Sequence, residues 1–70
     1  MTSIQKKIVN YLLDNNTKEE LVNMDYRDMY DICKLYGVVY VSQIWDLTDI
    51  LFNEYRIRME QVQQEIYNIE

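Results

Sequence analysis

Residues 24–47, MDYRDMYDICKLYGVVYVSQIWDL, decide the fold. They hold the one glycine, Gly37, of a chain that has no proline. Ahead of that glycine, Met29, Ile32, Cys33 and Tyr36 recur at i, i+3, i+4 and i+7, the apolar stripe of an amphipathic helix. Asp25 is a helix-capping residue type and Asp28 takes the third helical position. Met24 and Met29 bracket that cap as a hydrophobic staple does. Gly37 falls where a helix C-terminus needs positive φ, and Val38 can then pack back on Cys33. Val38 to Val41 is rich in β-branched residues, which favour extended backbone. A single strand would leave its edges unpaired. The run therefore reads as a stiff connector between two helices, with pairing across a dimer as the alternative. Ser42 is the expected cap of the helix that follows.

The flanks extend this pattern. Thr2 and Gln5 have capping-box spacing, and Ile4, Ile8, Tyr11 and Leu12 share a face with Val9 and Leu13 beside it. Asp14-Asn15-Asn16 ends that helix. Thr17 and Glu20 open a second, short one in which Leu21, Val22 and Met24 are expected to bury. After Gln43 neither glycine nor proline occurs. Trp45, Thr48, Phe52, Tyr55, Met59, Val62, Ile66 and Ile69 follow at alternating spacings of three and four, a heptad seam. Ile44, Leu47, Ile50 and Leu51 give its first half a second apolar face. The expected fold is an all-α bundle in one domain, 1–70, with helices near 3–14, 18–23 and 26–36 and a long C-terminal helix 43–69. A rod of that length spans ~40 Å, more than the rest of the chain can cover. Tyr55, Met59, Val62, Ile66 and Ile69 are therefore the expected oligomer seam. The first helix folded back along them, a second copy, and a different protein are the three ways to cover it.

Composition narrows the function. A chain of 70 residues buries only ~60% of its unfolded surface and needs tight packing or a partner. One cysteine excludes an internal disulfide, and no histidine is present. The run of apolar residues needed to span a bilayer is absent. MTSIQKKIVNYLL has no usable signal h-region, so a cytoplasmic protein with Cys33 reduced is expected, in a bacterium or an infected host cell. Abundant Asn, Ile and Tyr with scarce Gly, Ala and Pro suggest an AT-rich coding genome such as that of a phage.

Residues 23–55 resemble helix-extended-helix modules of the SAP and Rho N-terminal types. The resemblance rests on the ICKLYGV helix end and on Leu47 to Leu51 in the next helix. It sets Gly37 in the turn and Met29, Cys33, Val38, Leu47 and Leu51 in the apolar framework. It implies binding to DNA or RNA, or service within a nucleic-acid enzyme. The glycine-lysine that opens the second helix of such modules is replaced by Ser42-Gln43. Over residues 25–54, Arg27 and Lys34 stand against Asp25, Asp28, Asp31, Asp46, Asp49 and Glu54, a net charge of −4. Phosphate contacts dominate nucleic-acid affinity, so this charge argues against nucleic acid as the partner.

No catalytic, cofactor-binding or metal-binding set is legible. There is no histidine for acid–base work and no glycine-rich phosphate loop. Cys33 falls on a core face, where a cysteine packs as a small hydrophobe. The aspartates lack the glycine and closing glutamate of a calcium loop. What stands out is the whole-chain charge of −5 and the seven tyrosines, a residue type enriched at interface hot spots. The candidate partner-binding face is Asp25, Tyr26, Asp28, Tyr30, Asp31, Tyr40, Asp46 and Asp49. The expected activity is non-enzymatic: a small acidic phage or mobile-element protein that binds and modulates a host-encoded protein, a class that includes anti-CRISPR proteins. A nucleic-acid-binding module and a structural oligomer are the alternatives.

Overall fold

Local capping chemistry sets the helix starts. In the computed structural model, which describes residues 1–69, Thr2 and Gln5 exchange side-chain-to-backbone hydrogen bonds of 2.8 and 3.2 Å and open α1, Ser3–Asn15. Thr17 and Glu20 do the same for α2, Lys18–Val22, at 2.8 and 3.1 Å. The Asp25 carboxylate accepts from the Asp28 N–H at 2.9 Å and opens α3, Tyr26–Leu35. Each such cap satisfies a backbone donor that the helix itself leaves free.

Gly37 ends α3 at φ 79°. Its N–H donates to the Lys34 carbonyl, and the Val38 N–H to the Cys33 carbonyl, both at 3.0 Å, the paired bonds of a Schellman cap. Val38 to Tyr40 is a non-helical connector that reaches extended torsions at Tyr40, φ −87° and ψ 137°, and no strand forms among the described residues. Helix α4, Val41–Tyr55, starts earlier than the expected Ser42 cap. Tyr40 is the N-cap, its carbonyl accepting from the Ile44 N–H at 3.1 Å, and Ser42 is exposed within the first turn. The β-branched Val41 takes the first helical turn because neighbouring Ile44 and Leu47 are pulled fully into the core.

The expected rod 43–69 does not form. α4 stops at Tyr55, residues 56–59 are non-helical, and a separate α5 runs Glu60–Ile69. Arg56 adopts the left-handed conformation, φ 59° and ψ 32°, and its N–H donates to the Phe52 carbonyl at 3.0 Å. The Ile57 N–H donates to the Leu51 carbonyl at 3.1 Å. A non-glycine residue held there costs ~1–2 kcal/mol. The turn lets Ile57, Met59, Val62 and Ile66 reach exposures of 4, 1, 0 and 2%, each side chain worth ~1.5–3 kcal/mol. Burial outweighs the backbone cost, so the chain folds back. Arg58 stays outside, its guanidinium 4.8 Å from the Phe52 ring centroid.

Because Arg56 is exposed and strained by its own Cβ, Arg56→Gly is expected to raise stability by ~1 kcal/mol. An upward shift in the denaturant midpoint at unchanged slope is the readout; a continuous helix through this point would instead be weakened by the glycine.

α5 packs on both α3 and α4, and α4 also packs on α1 and α3. Their shared core holds Ile8, Leu12, Leu21, Met29, Cys33, Ile44, Leu47 and Leu51 with the four residues of the turn and α5. Two expected core positions lie outside it: Ile4 is 46% and Val22 38% exposed. α1 buries Ile8, Val9 and Leu12 instead. Tyr11 sits at the boundary, edge-on to Tyr36 with ring centroids 6.2 Å apart. Thr48 is the one polar residue in the interior of the described chain. Its hydroxyl donates to the Trp45 carbonyl at 2.6 Å and accepts from Gln63 Nε2 at 2.8 Å, clasping α4 to α5. The Cα radius of gyration is 10.7 Å, close to the ~11 Å of a compact chain of this length.

Candidate functional site

The candidate acidic face falls into two groups on different helices. On α3, Tyr26 and Tyr30 stack with centroids 6.1 Å apart and planes at 28°. Lys34 Nζ lies 5.6 Å from the Tyr30 ring. Asp28 and Asp31 are exposed, three residues apart and so on one side of the helix. Asp25 is committed to the cap, and the Tyr26 N–H donates to Glu65 Oε2 of α5 at 2.7 Å. Glu65 therefore serves the α3 N-terminus from across the molecule, where a carboxylate also meets the positive end of the helix dipole. Glu65→Ala is expected to cost ~1–2 kcal/mol, readable as a lower thermal midpoint together with loss of exchange protection at the Tyr26 amide. Burial, then its neighbours Tyr30 and Cys33, hold the Tyr26 hydroxyl above the ordinary tyrosine range.

On α4, Asp49 is half-buried and its Oδ1 accepts from Gln63 Nε2 at 3.4 Å, beside the Thr48 clasp. Asp46 is exposed and sits on a ridge between two surface depressions. One is a groove between α4 and α5 lined by Val41, Ser42, Trp45, Asp46, Ile66 and Tyr67. The other lies toward α1, against Ile4, Gln5, Val38 and Gln43. Tyr40 is 69% exposed at the head of α4 and Tyr67 76% exposed on α5. Of the eight face residues, Asp28, Asp31, Tyr40 and Asp46 are open to a partner, whereas Asp25 and Asp49 hold the fold together.

The predicted oligomer seam is mostly interior. Met59, Val62 and Ile66 are at most 2% exposed within the single chain, and only Tyr55 and Ile69 remain open, at 41 and 58%. A second copy cannot reach the central three unless the bundle opens. The fold-back at Arg56 is the reason: it turns the stripe of α5 onto α3 and α4. Two groove residues, Trp45 and Tyr67, were absent from the expected face. Trp45 carried a seam assignment, and Tyr67 follows Ile66 on the flank of the same stripe.

Among the described residues no group of three or more His, Cys, Asp or Glu side chains is placed to hold a metal ion. Cys33 is fully buried, and that burial pushes its thiol up to about 12. No helix of the described chain is long and apolar enough to cross a membrane. No protein-family model, curated protein or solved structure matches this chain.

Proposed function

We propose that this chain is a non-enzymatic protein-binding module, of the small acidic kind that phages and other mobile elements direct at a host protein in order to modulate it. The observation that carries this is the presence of both exposed carboxylates and exposed aromatics among the described residues. Asp28, Asp31 and Asp46 are open to solvent, and Tyr40 and Tyr67 offer large rigid surfaces at 69 and 76% exposure. Tyrosine gives contact area at low entropic cost, and exposed carboxylates steer a partner of opposite charge. The partner fitted to this surface is a protein with a basic patch.

Immobilised protein is expected to retain such a partner from a bacterial lysate in a salt-sensitive way, and the Asp28→Lys, Asp31→Lys double variant to retain less of it. Equal retention by both, or none by either, counts against the proposal. A nucleic-acid module is the second reading, favoured by the α3, extended connector, α4 layout around Gly37. Titration with duplex and single-stranded DNA at low salt separates the two, because phosphate binding is strongest there. Tight DNA binding would replace the first reading with the second.

A further inference from the structure

The charges of this molecule are unevenly placed. All seven cations lie in α1 to α3 and in the turn after α4: Lys6, Lys7, Lys18, Arg27, Lys34, Arg56 and Arg58. Neither α4, VSQIWDLTDILFNEY, nor α5, EQVQQEIYNI, contains a lysine or an arginine. Together these two helices carry Asp46, Asp49, Glu54, Glu60 and Glu65. The groove they form is lined by the aromatic residues Trp45 and Tyr67, the aliphatic Val41 and Ile66, and the polar Asp46 and Ser42.

A groove lined by two aromatic residues and a carboxylate, with no cation on either of its helices, suits one kind of guest. The face of a tryptophan or tyrosine ring attracts a guanidinium or ammonium group, most strongly when partly shielded from water. A neighbouring carboxylate adds a charge-assisted hydrogen bond to the same head group. The aliphatic part of the lining, Val41 and Ile66, then takes the methylene stem or an adjacent aliphatic residue. We infer that the α4–α5 groove is a docking site for a basic segment of a partner protein, seating an arginine or lysine side chain between Trp45, Tyr67 and Asp46. This deepens the protein-binding reading and rests on it.

Trp45 is the only tryptophan of the chain, so its fluorescence reports from the groove itself. An amphipathic peptide of arginine and leucine is the probe, with a glutamate-for-arginine counterpart and spermine as controls. The basic peptide is expected to shift Trp45 emission saturably at low salt, and the acidic one to leave it unchanged. Tyr67→Ala and Asp46→Lys alter exposed side chains and are expected to weaken binding ~10-fold or more with the fold intact by circular dichroism. Three results would overturn the docking site: no response of Trp45 to the basic peptide, equal affinity in both variants, or spermine binding as tightly as the peptide, which would mean diffuse charge attraction only. A concentration-dependent Trp45 shift without peptide would do so as well, since a second copy would then fill the groove. If the lysate partner is retained undiminished by Tyr67→Ala and Asp46→Lys, the groove fails while the protein-binding function stands; if wild type retains nothing, that function fails first.

Discussion

Truncation after Tyr55 is expected to abolish the cooperative unfolding transition of this protein. The segment removed carries Ile57, Met59, Val62 and Ile66, all at 4% exposure or less. At ~1.5–3 kcal/mol for each buried side chain, its loss exceeds the ~3–5 kcal/mol a core of this size supplies. It also removes Gln63, which satisfies Thr48, and Glu65, which serves the α3 N-terminus. Thermal circular dichroism should show a broad, non-cooperative loss of helix. A truncated chain that still melts sharply would mean that α1 to α4 form a closed domain and that α5 is an appendage.

The second large effect concerns Cys33. Its side chain has no exposure, and burial raises its thiol to about 12, against ~8.5 for an ordinary cysteine. The thiolate is the reactive form, so at pH 8 a disulfide reagent should label the native protein ~10³-fold more slowly than the denatured chain. The sign of the accompanying pH dependence follows from the direction of the shift. A folded-state value above the unfolded one stabilises the protein fully below the unfolded pKa, ~8.5. That stabilisation is lost as pH rises toward about 12. Alkaline unfolding is therefore expected to steepen above pH 9, and Cys33→Ala to flatten that slope. Rapid native labelling at pH 8 would place Cys33 outside the core.

Much of the architecture was legible because it is local. The Thr2–Gln5 and Thr17–Glu20 boxes, the Asp25 cap and the positive φ of Gly37 each follow from a few neighbouring residues. The break at Arg56 was not legible, since arginine is an uncommon choice for the left-handed region and the spacing of three and four continues through it. The signal was weaker and of another kind. In the sequence Arg56, Ile57, Arg58 and Met59 alternate charged and apolar, a period of two in place of 3.6. The left-handed Arg56 and the non-helical residues after it redirect the chain, Met59 still returns to the core, and the heptad spacing survives by coincidence. The groove was illegible for the same reason. Trp45 and Tyr67 come together only once α5 folds back along α4, which no local pattern states. The acidic face was half legible: charge identified its residues and local spacing marked Asp25 as a cap, but only the fold shows that Asp49 is occupied beside the Thr48–Gln63 clasp.

All of this depends on the chain shielding its own C-terminal stripe, which leaves the surface groove and not the seam for a partner. Nuclear Overhauser spectroscopy of the isotope-labelled protein, mixed with unlabelled chain so that contacts within and between molecules separate, tests this directly. The expected result is a helical amide ladder interrupted between Arg56 and Met59, with cross-peaks from the Val62 and Ile66 methyls to α3 inside one molecule. An unbroken ladder from Val41 to Ile69, with those methyls in contact only with a second copy, would contradict it.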